Sequence, residues 1–263
     1  LYRFRLLTGS NARVFKIAFS DDHPFHLIGS DGGVLPTPTQ VTSAMLAPGE
    51  RLEILVDFRG YSLGNSVVLK SLSFAGTGGM MGGPPQGIEM NLIQFYVDDP
   101  TDVPHTPPAT LVPIVSYDPA QAQRTRIFTL AAGPMARHTI NGQLFEMERI
   151  DFAVPFGDLE IWEYRNISAQ PHPMHMHATH FQVLERVGQP DIRPEDRGWK
   201  DTVLVDPGET VRILLRFDAH PGMFVHHCHN LEHEDNGMMQ NFMVLPPPTL
   251  EIQRGSEGTT VSW

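Results

Sequence analysis

Along this chain, large apolar residues recur in short runs at every second position rather than at the three-to-four spacing of a buried helix face. Residues 51–58 set Leu52, Ile54, Val56 and Phe58 on one side of an extended segment. Residues 1–7 alternate large apolar and basic side chains, and residues 66–69, 181–184 and 210–217 also read as strands. Pro-Gly pairs precede two of these runs. Short strands at close spacing, with scarce helical periodicity, predict an all-β sandwich or barrel.

Two stretches repeat. Ala47-Pro48-Gly49-Glu50 feeds the strand at 51, and Asp206-Pro207-Gly208-Glu209 feeds the strand at 210, an offset of 206 − 47 = 159. Between them, residues 98–113 hold five prolines and read as an extended linker. The expected organisation is a β-sandwich over 1–100, a Pro-rich linker over 101–114, a second sandwich over 115–248 and a polar tail over 249–263. At the repeat offset, His172, His175 and His177 fall on Arg13, Lys16 and Ala18, so the halves differ in chemistry.

Composition narrows the function by exclusion. The 19 basic against 30 acidic residues give a net charge of −11, which argues against nucleic acid as a partner. No run approaches the roughly 18 apolar residues of a membrane span. Gly and Pro number 23 each without a period, as expected for turns rather than collagen or disorder. One cysteine forms no intrachain disulfide, and the start at Leu1 carries no leader pattern, so neither assigns a compartment.

The 13 histidines change the picture, because nine lie between His172 and His233. In an extended strand His175 and His177 share a face while His172 takes the other; His227 and His229 likewise share a face, opposite Cys228. If the two segments are neighbouring strands, one side collects Cys228 and His172 and the other collects four imidazoles. His233 and Met238, from the loop after the strand, complete the first side. Two His, one Cys and a weak axial Met form the ligand set of a blue-copper electron-transfer centre.

The motifs H-x-x-H-x-H (172–177) and H-C-H-x-x-x-H-x-x-x-x-M (227–238) resemble the copper signature of the multicopper oxidases, the family of laccases and bilirubin oxidases. Residues 25–58 look like that family's copper-free middle domain and 115–247 like its third, which implies two cupredoxin-like Greek-key β-sandwiches. The resemblance implies copper as cofactor, with His172, Cys228, His233 and Met238 at a type 1 site. It implies His175 at type 2, and His177, His227 and His229 at the type 3 pair. Glu234 would deliver protons to reduced oxygen. The implied reaction takes single electrons from a phenol, aromatic amine or metal ion and passes them to dioxygen, in a periplasmic or extracellular setting. The full cluster of the family takes eight histidines and this chain supplies four; no His-x-His precedes residue 175. The others are expected from a missing N-terminal domain or another copy of the chain, and a copper-binding electron-transfer pair without oxidase activity is the alternative.

Other readings carry less. A copper nitrite reductase places one histidine beside its cysteine, not two, and His233-Glu234-Asp235 lacks the helical H-E-x-x-H of zinc hydrolases. His180, His220 and His226 are expected at the surface or behind the ligands, and His105 and His138 fit no pattern. Met80 and Met81 read as loop residues without a ligand role, with Met90 nearby. Asp201 reads either as a hydrogen-bond partner of a type 1 histidine or as a plain turn acid.

Overall fold

A computed structural model describes residues 1–75, 86–100, 105–133 and 137–247, and the backbone of 251–255 and 258–262. Met80 and Met81 lie outside the described residues. The first half forms two four-stranded sheets. One orders β1 (Tyr2–Leu7), β6 (Arg51–Val56), β3 (Phe25–Ser30) and β4 (Gly33–Val41); the other orders β5 (Ser43–Leu46), β2 (Phe15–Phe19), β7 (Ser66–Ser71) and β8 (Met90–Tyr96). Their inward residues, among them Ile17, Phe19, Phe25, Leu27, Leu52 and Ile54, form one core. The expected strand at 51–58 stops at Val56, because the Asp57 carboxylate accepts the Arg59 N–H (3.0 Å) and caps a single 3-10 turn over Phe58–Gly60.

The second half forms two five-stranded sheets. One orders β10 (His138–Ile140), β9 (Arg124–Ala132), β12 (Leu159–Asn166), β16 (Thr210–Arg216) and β14 (Phe181–Arg186). The other orders β11 (Phe152–Pro155), β18 (Met239–Leu245), β17 (Gly222–Cys228), β13 (His172–Met176) and β15 (Thr202–Val205). Trp162, Tyr164, Phe181 and Phe242 pack between the sheets, and Cys228 and Met238 belong to this same cluster. The backbone of the tail pairs β19 (Glu251–Gly255) with β20 (Gly258–Ser262).

The repeat seen in sequence is the same turn built twice. The Glu50 N–H donates to Ala47 O and the Glu209 N–H to Asp206 O, both at 3.0 Å. Each glutamate then accepts the first turn N–H, Ala47 at 2.7 Å and Asp206 at 2.9 Å. Gly49 and Gly208 take φ of 82° and 74°, the left-handed region that favours glycine.

Residues 199–202 join the two halves. Trp199 O accepts from the Gly32 N–H (2.7 Å) and the Ser30 hydroxyl (2.9 Å). Arg51 grips Asp201 through two bonds of 2.7 and 2.6 Å. The buried Lys200 ammonium lies 3.1 Å from both Asp31 and Glu50, where burial pushes the Glu50 carboxyl up to about 7 against the pull of Lys200.

Candidate metal centres

The register of β13 against β17 sorts the histidines. Met174 faces Cys228, His175 faces His227 and Met176 faces His226 across the antiparallel pair. Directly opposed residues share a face, so His172 and Cys228 turn into the core while His175, His177, His227 and His229 turn outward. The odd and even offsets in the sequence translate into two donor sets on either side of one sheet.

The inner set closes through a short helix. After Cys228 the chain turns into α1 (Leu231–Asp235), whose cap Asn230 accepts the Glu232 (3.1 Å) and His233 (3.4 Å) N–H groups. Met238 N–H returns to His233 O (3.0 Å) and Cys228 N–H to Met238 O (3.1 Å), which ties the loop to the strand. His233 Nδ1 then lies 3.5 Å from Cys228 Sγ, His172 Nδ1 3.6 Å from it, and the two nitrogens 3.1 Å apart. Met238 is fully buried in the same core cluster.

These distances suit a shared metal. Bonds of about 2.0–2.1 Å to nitrogen and 2.3 Å to sulfur at tetrahedral angles give edges of roughly 3.3 Å for N···N and 3.5 Å for N···S. The protons argue the same way. Ser168 Oγ donates to Asn166 or to the Gln170 carbonyl, so it accepts from His172 Nε2 (2.8 Å). Gln170 Oε1 accepts from His233 Nε2 (2.8 Å). Both Nδ1 atoms therefore aim lone pairs at each other across 3.1 Å, an arrangement that a cation stabilises. Burial keeps both rings neutral: it pushes His172 well below the usual histidine range, helped by His233 and His138, and His233 down to about 3. Burial also pushes the Cys228 thiol up, a bias that a bound metal reverses by holding the thiolate.

The outer set is half-open. Donor nitrogens of His175, His177 and His227 lie within 4.8 Å of one another, with His227 Nε2 3.4 Å from His177 Nε2. The His229 ring sits 5.6 Å from His175 and 5.8 Å from His227. His175 Nδ1 donates to Asp201 O (2.9 Å), which leaves Nε2 free as a ligand. Glu234 places Oε2 3.3 Å from His227 Nδ1, and burial raises its carboxyl above the usual range. Only peptide and Cα–Cβ bonds separate Cys228 of the inner set from His227 and His229 of the outer.

Several sequence expectations change. Asp201 does not touch an inner histidine; its carboxylate lies 3.5 Å from outward His175 and is gripped by Arg51. Burial works against its charge, but His175 and Arg51 overcome this and hold it well below the usual carboxylate range. The inner histidines are held instead by Ser168 and Gln170, whose only sequence signal is their position four and two residues before His172. His138, without a pattern in the sequence, is buried with its ring centroid 3.7 Å from that of His233. His226 is core rather than surface, bonded to Tyr164 and Gln240 at 3.3 Å each, while His105, His180 and His220 are exposed.

Comparison with known proteins completes the picture. The family model described as Multicopper oxidase matches residues 118–248. A laccase from Haloferax volcanii is 35% identical over 94% of the chain and 44% of its own length. A bilirubin oxidase from Albifimbria verrucaria is 33% identical over 93% of the chain and 45% of its length. The crystal structure of the McoA multicopper oxidase from Aquifex aeolicus matches with a TM-score of 0.85 at 36% identity, covering 93% of this chain and 55% of that one. The chain thus spans about half the length of these relatives.

Proposed function

Since the chain belongs to the multicopper oxidase family, whose cofactor is copper, we propose that it contributes the electron-accepting centre and half of the oxygen-reducing centre of a laccase-like oxidase. One observation carries this reading: the triangle of Cys228, His172 and His233, with edges of 3.1–3.6 Å and the lone pairs turned inward. Bound copper would supply one-electron acceptance from a phenol, aromatic amine or metal ion and onward transfer to dioxygen.

The residues divide the remaining work. His172, His233 and Cys228 bind the ion, with Met238 as the weak fourth donor. Ser168 and Gln170 fix both imidazoles so that little rearranges as charge changes. The short covalent path from Cys228 to His227 and His229 links the two faces. His175, His177, His227 and His229 form one wall of a larger cluster, whose other donors belong to the portion of the relatives that this chain does not span. Glu234, partly exposed with Oε2 3.3 Å from His227 Nδ1, places a carboxyl beside that wall where it can relay protons.

The test is the copper-to-chain ratio after loading and removal of excess ion, read beside oxygen uptake with a one-electron donor. A ratio near one with an intense thiolate-to-copper band supports the Cys228 centre and an incomplete cluster. No thiolate band at any loading overturns the reading. Sustained turnover by the lone chain, with a ratio near four, refutes the shared-cluster part and makes the chain an oxidase in its own right.

A further inference from the structure

Two sheet edges stay open in the first half where the second half closes them. From β12 onward the sheet orders match strand for strand, β12-β16-β14 with β1-β6-β3 and β18-β17-β13-β15 with β8-β7-β2-β5. The repeat offset recurs in this match, since 202 − 43 = 210 − 51 = 159 for the starts of β15 and β5 and of β16 and β6. The second half adds one more segment, residues 124–155, just before β12. Its β9 pairs parallel with β12 and its β11 parallel with β18. Among the described residues, β1 pairs only with β6 and β8 only with β7. Burial follows the pairing. Phe242 of β18 stacks on Phe152 of β11 (5.5 Å, 7°) and is fully buried. Ile93 of β8 stands opposite buried Leu69, which places it on the core face, yet it is 50% exposed.

A groove of about 690 Å³ touches both open edges and is lined by Tyr2, Phe4, Phe58, Phe95 and Tyr96 among others. Residues 90–96 of β8 carry no charge and no proline, whereas the edge strand β4 is guarded by Pro36 and Pro38. An unguarded edge beside an apolar groove is a template for an added strand. We propose that the two edges and the groove take a two-stranded polypeptide segment that leads into β1, from the portion of the relatives that this chain does not span. One strand pairs parallel with β1 and the other parallel with β8. Alternate apolar side chains of both fill the groove, as Phe128 and Phe152 do in the core of the second half. A second copy of the chain suits the edge less. A two-fold axis would pair β8 antiparallel and set the acids at its two ends, Glu89 and Asp98, against each other. Copper plays no part in this docking, so its failure leaves the centres above untouched.

The test lengthens the full chain at its start by a copy of its own residues 123–158, the segment that fills this place in the second half. Amide hydrogen exchange, read by mass spectrometry, is expected to slow about tenfold or more in β1 and β8 relative to the unextended chain. Light scattering should find both chains monomeric. Ile93→Lys in the extended chain puts a charge into the filled groove and should return β8 to the unextended rate. A folded extended chain whose β1 and β8 exchange as before overturns the proposal. So does an unextended chain that already protects β8 as a dimer, which gives the edge to a second copy. Should the extended chain misfold, the same 123–158 segment added to the unextended chain as a separate peptide is read the same way.

Discussion

Gly49 and Gly208 occupy the same turn, with φ of 82° and 74°, yet an alanine at each should behave differently. A Cβ on Gly208 meets nothing within 4 Å, whereas one on Gly49 would lie 2.5 Å from Cδ2 and 2.8 Å from Nε2 of His229. Both variants carry the left-handed backbone penalty of about 1–2 kcal/mol. Only Gly49→Ala adds the overpacking, about 1–3 kcal/mol, since the ring must retreat by roughly 1 Å to reach ordinary contact. At roughly 4–8 °C per kcal/mol for a domain near 100 residues, Gly49→Ala should melt several degrees below Gly208→Ala. The displaced ring also predicts a changed paramagnetic resonance spectrum for copper on the outer imidazoles, and an unchanged one in Gly208→Ala. Equal melting temperatures with identical copper spectra would refute the claim that this turn packs on the His229 ring.

Ser168→Ala removes the acceptor for His172 Nε2 and should weaken copper at the Cys228 centre about 10–100-fold, measured by chelator competition. Met238→Leu should raise the potential of that centre in a redox titration; an unchanged or lower value would count against Met238 as the axial donor. Asp201→Asn removes a carboxylate whose folded pKa is depressed, so the wild-type advantage should be full above about pH 4 and shrink as pH falls below it, followed by denaturant unfolding. Glu50 has the opposite sign. Its folded pKa is raised to about 7, so wild-type stability should decline from about pH 4.5 to 7 through this group, and Glu50→Gln should flatten that slope.

The parts of the site that follow from local periodicity were readable from the sequence, and those made by tertiary contact were not. A strand's two-residue period alone separates His172 from His175 and His177, and Cys228 from its flanking histidines; the β13–β17 register then only had to pair the two segments. Asp201 was ambiguous because its side is decided by the neighbouring pairing of His175 with Thr202, which sets it behind the outer donors. His138 comes from the opposite sheet, on a three-residue strand at its edge, and no spacing rule connects it to residues 34 and 95 positions later. The repeated Pro-Gly turn was visible as a pattern but not as a contact, since the shared Pro-Gly-Glu does not say what lies against each copy. That difference gives the first sandwich a role. Gly49 packs on His229 and Arg51 holds Asp201 against His175, so two of the four outward imidazoles are braced from the first half of the chain. The second sandwich on its own should therefore keep the Cys228 triangle, which is built from β13, β17 and α1, and lose order first on the outer face.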